Sequence, residues 1–390
     1  MYDKNGFLDI FIMSQRRKFV SSRCNVIDCV MRFLDYVNPY AWVVALRNLA
    51  FDAGWLGSTG FDLPIVSVGN LTVGGTGKTP HIEYIINLLK DEFRVATLSR
   101  GYKRKSRGFV KAEAGGDVAL VGDEPAQIKN KFPGVIVAVD EKRVDGIEHL
   151  LREQEQPDVV LLDDAFQHRY VTPGLSIVLV DYNRPVWRDC VLPFGRLREP
   201  AGGIERAHMV VVTKCPSQMS AEEMLLCKEK LQLRDATPLF FSTVCYDNPK
   251  ALFDTPETAC AISSGTQVLL LTGIARPEPL RRELERRGAV VTLMQYGDHH
   301  DFTSEELCDV EKRFRSLPGE RKIILTTEKD AERLMGHRDL PEVLKKDLLC
   351  MPIKVRIMEN ENMFNQIILD YVRKNKRDRC VSAVGDEDKA

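Results

Sequence analysis

Apolar residues fall into two alternating patterns along most of this chain: short near-continuous runs and stripes at helical spacing. Runs at 95–98, 135–139, 159–162, 177–180 and 210–212 predict strands, and stripes at 124–131 and 144–153 predict helices between them. The run Val159-Val160-Leu161-Leu162, bounded by Asp158 and Asp163, suits a strand covered on both faces. Strand and helix in alternation predict a largely parallel sheet. The alternation lapses over 247–266, then resumes with strands at 268–271, 290–293 and 323–325 and helices at 278–287 and 304–316. The reading is therefore α/β, with a first unit over 61–246 and a smaller α/β unit over 247–373. No internal repeat is visible.

Both ends differ from this middle. Ile27, Val30, Met31, Phe33 and Leu34 recur at helical spacing, Pro39 interrupts, and the apolar face continues through residues 40–46, Leu49, Ala50, Phe51 and Trp55. Arg32 and Arg47 fall outside it. Helices of this kind over 24–60 lie in a membrane interface or pack on the domain's own core, and pattern alone does not separate the two. Residues 1–23 read as an extension, with Met13 an alternative start. Phe7 to Met13 is short, broken by Asp9 and followed by Arg16-Arg17-Lys18, which is not a secretion signal. No apolar run is long enough to span a bilayer. Residues 374–390, charged and aromatic-free, predict a disordered tail.

A length of 390 residues agrees with two domains. A formal net charge of −1 gives no steering towards nucleic acid, so any anion site must be built locally. The ten cysteines show no C-x-x-C pair, which points to reduced thiols in a cytoplasmic protein. Nothing in the sequence implies an obligate protein partner.

The densest chemistry follows the apolar segment 64–68, at Gly69-Asn70-Leu71-Thr72-Val73-Gly74-Gly75-Thr76-Gly77-Lys78-Thr79-Pro80, with a helical stripe behind it. Strand, glycine loop and helix form a phosphate-binding loop, the mark of a P-loop NTPase domain. Loop amides of Thr72, Val73, Gly74, Gly75, Thr76 and Gly77 would cradle phosphates. Lys78 would reach the β- and γ-phosphates and the Thr79 hydroxyl would hold Mg²⁺. Thr72 stands where the pattern asks for glycine, and Gly74 and Gly75 are placed to make the turn. Val210-Val211-Val212-Thr213-Lys214-Cys215-Pro216 is similar to a guanine-reading N/T-K-x-D, but Pro216 replaces the aspartate, which favours ATP over GTP.

Asp163 and Asp164 end a buried strand, where phosphate-loop enzymes place a carboxylate for Mg²⁺, and adjacent acids point to different sides. In Gly122-Asp123-Glu124-Pro125, an acid either caps a helix or serves as a general base. Asp298-His299-His300-Asp301 suggests metal at first sight, without any supporting Cys/His cluster; a histidine supporting a carboxylate base across a domain cleft is more economical, and a loop histidine with no role is the alternative. The basic loop from Ser99 to Gly108, with Arg100 and Tyr102, is either solvated or grips an anionic substrate or lipid headgroups. Arg198 and Glu199 lie on a further loop.

Together the glycine run, Ser99-Arg100-Gly101-Tyr102, Gly122-Asp123-Glu124-Pro125, Asp163-Asp164-Ala165-Phe166-Gln167-His168-Arg169, Gly195-Arg196-Leu197-Arg198-Glu199-Pro200, Asp298-His299-His300-Asp301-Phe302 and Thr326-Thr327-Glu328-Lys329-Asp330-Ala331 resemble the tetraacyldisaccharide 4′-kinase family of lipid A (lipopolysaccharide) biosynthesis. The Thr at position 72 fits that family; Ala165 departs from its usual glycine, and residues before about Cys24 have no counterpart in it. The resemblance implies ATP-dependent, Mg²⁺-requiring phosphorylation of the 4′-hydroxyl of a tetraacyldisaccharide 1-phosphate. It implies Asp123 as base with His299 in support, and catalytic or metal roles for Lys78, Asp163 and Asp164. Arg100, Tyr102, Gln167, His168, Arg198 and Glu199 become candidate substrate contacts. It also implies a peripheral, monotopic enzyme on the cytoplasmic face of the inner membrane. The alternatives are another P-loop small-molecule kinase or ATPase, and a non-enzymatic nucleotide switch.

Overall fold

The computed structural model describes residues 34–253, 262–274, 276–297, 300, 302–337 and 340–387. After helix α1 (Pro39–Asp52), the first unit alternates β1 (Ile65–Asn70), α2 (Lys78–Leu89), β2 (Val95–Ser99), β3 (Val110–Lys111), α3 (Val118–Val121), α4 (Asp123–Lys131) and β4 (Ile136–Val139). It continues through α5 (Arg143–Arg152), β5 (Val159–Asp163), β6 (Leu175–Asp181), β7 (Met209–Thr213), α6 (Ala221–Leu231) and β8 (Leu239–Tyr246). The second unit comprises β9 (Lys250–Ala251), β10 (Gln267–Thr272), α7 (Glu278–Arg286), β11 (Val290–Gln295), α8 (Ser304–Arg315), β12 (Lys322–Thr327), α9 (Glu328–Met335), α10 (Glu342–Asp347) and β13 (Leu348–Met351). The chain finishes with β14 (Ile353–Ile357) and α11 (Glu361–Glu387).

The large sheet has nine strands in the order β14-β8-β7-β6-β1-β5-β2-β4-β3, parallel except at its two outermost pairs. Every residue of β1 is buried, the polar Ser67 and Asn70 included, as suits a strand covered on both faces. Because β1 lies between β5 and β6, the strand order reverses around it, and the carboxyl ends of these three strands open on one crevice. One face of the sheet is covered by α2, α4 and α11 through Ile82, Ile86, Ala126, Ile128, Phe364 and Ile368. The other is covered in part by α5 through Ile147 and Leu150. The second unit is a five-stranded sheet, β11-β10-β12-β13-β9, again parallel but for its last pair.

Two expected boundaries move. The second unit, expected to run to residue 373, ends near Pro352: β14 pairs antiparallel with β8, and α11 buries Phe364, Ile368 and Val372 on the first core. The i, i+4, i+8 spacing of those three makes a stripe that the sheet had left uncovered. The helix then runs on to Glu387, through most of the segment expected as a disordered tail. No proline or glycine interrupts residues 374–384, and Arg373 and Lys376 pair with Glu92 and Asp158 at the start of that stretch. Residues 1–33, including the extension and all of the first amphipathic stripe but Leu34, lie outside the described residues.

Helix α1 packs one side on the first unit and leaves other apolar side chains exposed. Its N-cap Asn38 accepts from the Tyr40 and Ala41 amides, and Ala41 and Phe51 pack against the first unit. Arg47, expected outside the apolar face, turns inward: it stacks over Phe51 and donates to the Gln167 carbonyl at 3.1 Å. Trp42, Val43, Leu46 and Leu49, with Trp55 beyond the helix, remain exposed. Among the described residues no helix is long and apolar enough to cross a membrane.

Candidate active site

The phosphate loop leaves β1 at Asn70 and enters α2 at Gly77, whose φ of 90° is the left-handed conformation a glycine adopts at little cost. No side chain caps α2, so its first-turn amides and dipole face the loop. The loop is braced from several directions. The Asn70 amide donates to the Thr76 hydroxyl at 2.8 Å, and the Thr213 hydroxyl donates to the Thr76 carbonyl at 2.8 Å. Lys214 donates to the Gly75 carbonyl and pairs with Asp181 at 2.9 Å. The Val73 amide donates to the Arg196 carbonyl at 2.8 Å. Thr213 and Lys214, read from sequence as a broken guanine signature, are thus supports of the loop. Gly69 has its own reason: a Cβ there would stand 2.7 Å from the Phe166 Cβ, so only glycine lets β1 and the turn after β5 approach.

The paired acids have separate environments. Asp163, the last residue of β5, is buried, and its Oδ1 has no hydrogen-bond partner. Burial, reinforced by Glu124, pushes its carboxyl up to about 7 despite the pull of Lys78. A native carboxyl raised in this way keeps its proton where the unfolded chain has lost it. Its contribution to stability therefore falls as pH rises from about 4 to about 7. Asp164 takes a left-handed φ of 49° and turns outward to Lys78 Nζ at 3.5 Å and Arg198 Nη1 at 2.7 Å. Burial alone would raise its carboxyl, but those cations outweigh it and hold it below the ordinary value. A buried carboxylate oxygen without a partner and the Thr79 hydroxyl at the head of α2 form a hard oxygen set, which fits Mg²⁺.

Candidate substrate contacts divide into two groups. Arg198 and Gln167 line the crevice: Arg198 reaches Gln167 Oε1 at 3.3 Å, and Gln167 Nε2 donates to the Asn70 carbonyl at 2.7 Å. Beneath them Glu199, 1 % exposed, accepts from Gln167, Asn48 and Arg206, so it is a strut rather than a surface group. His168 sits against Tyr170 with burial lowering its pKa, so it is neutral near pH 7. Arg100 and Tyr102 are exposed at the end of β2. Arg104 of the same basic loop has its side chain buried and paired with Glu141 at 2.7 Å.

Asp123 opens α4, and here the two sequence readings part. Gly122 is the N-cap and no side chain caps the helix. The Asp123 carboxylate instead pairs with Arg333 of α9, across from the second unit. Farther along α4, Asn130 donates to Glu332 at 2.7 Å and Lys131 bridges Glu83 of α2 and Glu328 of α9, both at 2.7 Å. His299, Asp298 and Asp301 lie outside the described residues; His300 pairs with Glu306 at 2.8 Å and stacks on Tyr296. Sequence reasoning passed over Arg143, Glu83 and Arg333. Arg143 is buried behind the acids, donating to the Asp140 carbonyl at 2.9 Å and the Asp163 carbonyl at 3.5 Å, and burial lowers its pKa to about 10.

A braced phosphate loop facing an outward and an inward acid, on the carboxyl edge of a parallel sheet, defines a P-loop phosphoryl-transfer enzyme. Residues 33–373 match the LpxK family, tetraacyldisaccharide-1-P 4′-kinase. The chain belongs to that family. It is 46% identical over 353 residues to the tetraacyldisaccharide 4′-kinase of Bacteroides fragilis, covering 88% of this chain and 94% of that one. Against the corresponding kinase of Flavobacterium johnsoniae, identity is 43% over 336 residues, 86% of this chain and 95% of the relative. The crystal structure of LpxK from Aquifex aeolicus in complex with ATP aligns with a TM-score of 0.67 at 30% identity, covering 89% of this chain and all of that one.

Proposed function

We propose that this chain transfers the γ-phosphoryl group of ATP to the 4′-hydroxyl of a tetraacyldisaccharide 1-phosphate during lipid A assembly. The observation that carries this reading is near end-to-end similarity to kinases of that name, 46% identical over 88% of the chain. In this reading the loop amides and α2 bind the phosphates, and Lys78 neutralises charge that builds on the transferred group. Thr79 and Asp163 would hold Mg²⁺, which when bound shields phosphate charge from an incoming oxygen. Asp123 takes the proton of the acceptor hydroxyl and His299 supports it. Arg198, Gln167 and Arg100 orient the anionic sugar. Incubation with γ-labelled ATP, Mg²⁺ and the disaccharide 1-phosphate is expected to give a lipid-soluble labelled product. Label only in free phosphate would indicate an ATPase, and no turnover with any acceptor would indicate a nucleotide switch.

An acylated acceptor stays in its bilayer, so the enzyme must reach it there. The exposed face of α1 supports a peripheral site at the cytoplasmic leaflet: Trp42, Val43, Leu46 and Trp55 are 50%, 66%, 52% and 71% exposed. Introducing Glu at both 43 and 46 is expected to reduce sedimentation with anionic phospholipid vesicles at least tenfold while leaving thermal unfolding unchanged. Equal sedimentation of the double variant would sink the assignment of this face.

A further inference from the structure

Helices α4 and α9 lie side by side although one belongs to each unit, and three polar contacts tie them: Asp123 to Arg333, Asn130 to Glu332 and Lys131 to Glu328. Arg333 is the contact nearest the proposed chemistry. Its side chain is 7% exposed, and the second unit fixes it from behind. Arg333 Nη1 lies 3.6 Å from Asp330 Oδ1 and donates to the His300 carbonyl at 3.4 Å. Asp330 is itself fully buried, with its Oδ2 accepting from the Gly273 amide at 2.9 Å and the Thr327 hydroxyl at 2.8 Å. Strand ends β10 and β12 therefore hold Asp330, Asp330 and a loop carbonyl hold Arg333, and Arg333 Nη2 holds one oxygen of Asp123.

We propose that Arg333 is a positioning residue for phosphoryl transfer, carried on the second unit, which orients Asp123 and keeps it ionised when the two units are docked. This rests on the reading of Asp123 as the base. A guanidinium on Oδ2 fixes the carboxylate plane, and a nearby cation favours the charged form a base needs. The groups facing Asp123 make that help necessary. Glu124 follows it on α4, Glu332 of α9 repels it, and Asp330 lies behind Arg333. Arg333 pairs with it from the second unit. Undocking of the second unit breaks this ion pair, so transfer is fastest in the docked form.

The test compares Arg333→Met, Arg333→Lys and Asp123→Asn in the full-length chain, by pH profiles of kcat/KM and by thermal unfolding. Arg333→Met is expected to lower kcat about tenfold to a hundredfold, to leave KM for ATP within about twofold, and to move the acidic limb up by about one pH unit. Arg333→Lys restores part of both the rate and the limb, since a cation remains without the planar fork. An acidic limb that stays in place, or a loss explained by unfolding alone, overturns the proposal. Faster turnover in Arg333→Met also overturns it, because Arg333 would then be a restraint on the base. If Asp123→Asn keeps near wild-type activity, the base assignment fails first; if it is inactive while Arg333→Met matches wild type, only the role of Arg333 fails.

Discussion

Lys78→Ala is expected to lower kcat by about a thousandfold, on the order of 4 kcal/mol of lost transition-state stabilisation. The side chain is 12% exposed and stands 3.5 Å from Asp164, so its charge acts in a partly desolvated crevice where little water screens it. The fold should survive the change. Asp164 keeps Arg198 at 2.7 Å, and the loop keeps its braces from Asn70, Thr213 and Lys214, none of which involves Lys78. Arginine at 78 should not restore the rate, since a planar fork cannot replace a compact ammonium at a crowded phosphate. Single-turnover transfer of labelled phosphate, with unfolding temperature as the control, decides the matter. Activity within tenfold of wild type would remove Lys78 from the phosphate-binding role.

Asp123→Asn is expected to reduce kcat between a hundredfold and ten-thousandfold with KM for ATP little changed, the range for loss of a positioned general base. Asparagine is the informative replacement. Alanine would take one carboxylate away from the Arg333 guanidinium in a place where its side chain is 7% exposed, adding a structural defect to the chemical one. Asparagine keeps an oxygen for Arg333 and takes away only the charge and the proton affinity. His299→Ala should cost less than Asp123→Asn, as befits a supporting group. A near wild-type rate for Asp123→Asn would falsify the assignment of the base.

Much of the architecture could be read where residues act locally. The phosphate loop between β1 and α2, the acids closing β5 and the strand–helix alternation of both units rest on spacing within a few dozen residues, and each element lies within a few residues of its expected place. What escaped depends on partners far along the chain. Ile353, Val355 and Ile357 alternate with Lys354 and Arg356 as any short strand does, and nothing in that pattern tells which sheet it joins. Arg333 looks like a solvated helical charge until Asp123, 210 residues earlier, is brought beside it. Glu83 reads as a break in the apolar face of α2, yet it is buried to meet Lys131 and Gln127. Arg143 begins a helix with no motif around it. Glu199 was legible as a notable residue but not as a strut, because its three partners come from α1, the turn after β5 and a 3₁₀ segment at 201–206. The pairs Thr327 with Asp330 and Glu328 with Lys131 give the Thr326–Ala331 motif a structural account that sequence had left blank.

The return of the chain to the first sheet has a mechanical consequence. Its two crossings into the second unit leave from β8 and come back to β14 as neighbours, with Tyr246 opposite Ile353 and the Asp247 amide bonded to the Pro352 carbonyl at 3.0 Å. The second unit is thus suspended from two adjacent tethers, so its motions turn about one narrow seam. An undocked Arg333 would remain within reach of Asp123 at a local concentration that short tethers keep on the order of millimolar. Redocking is then an intramolecular event that needs no search through solution, and a cut in either crossing alone leaves the other to bring arginine and carboxylate together.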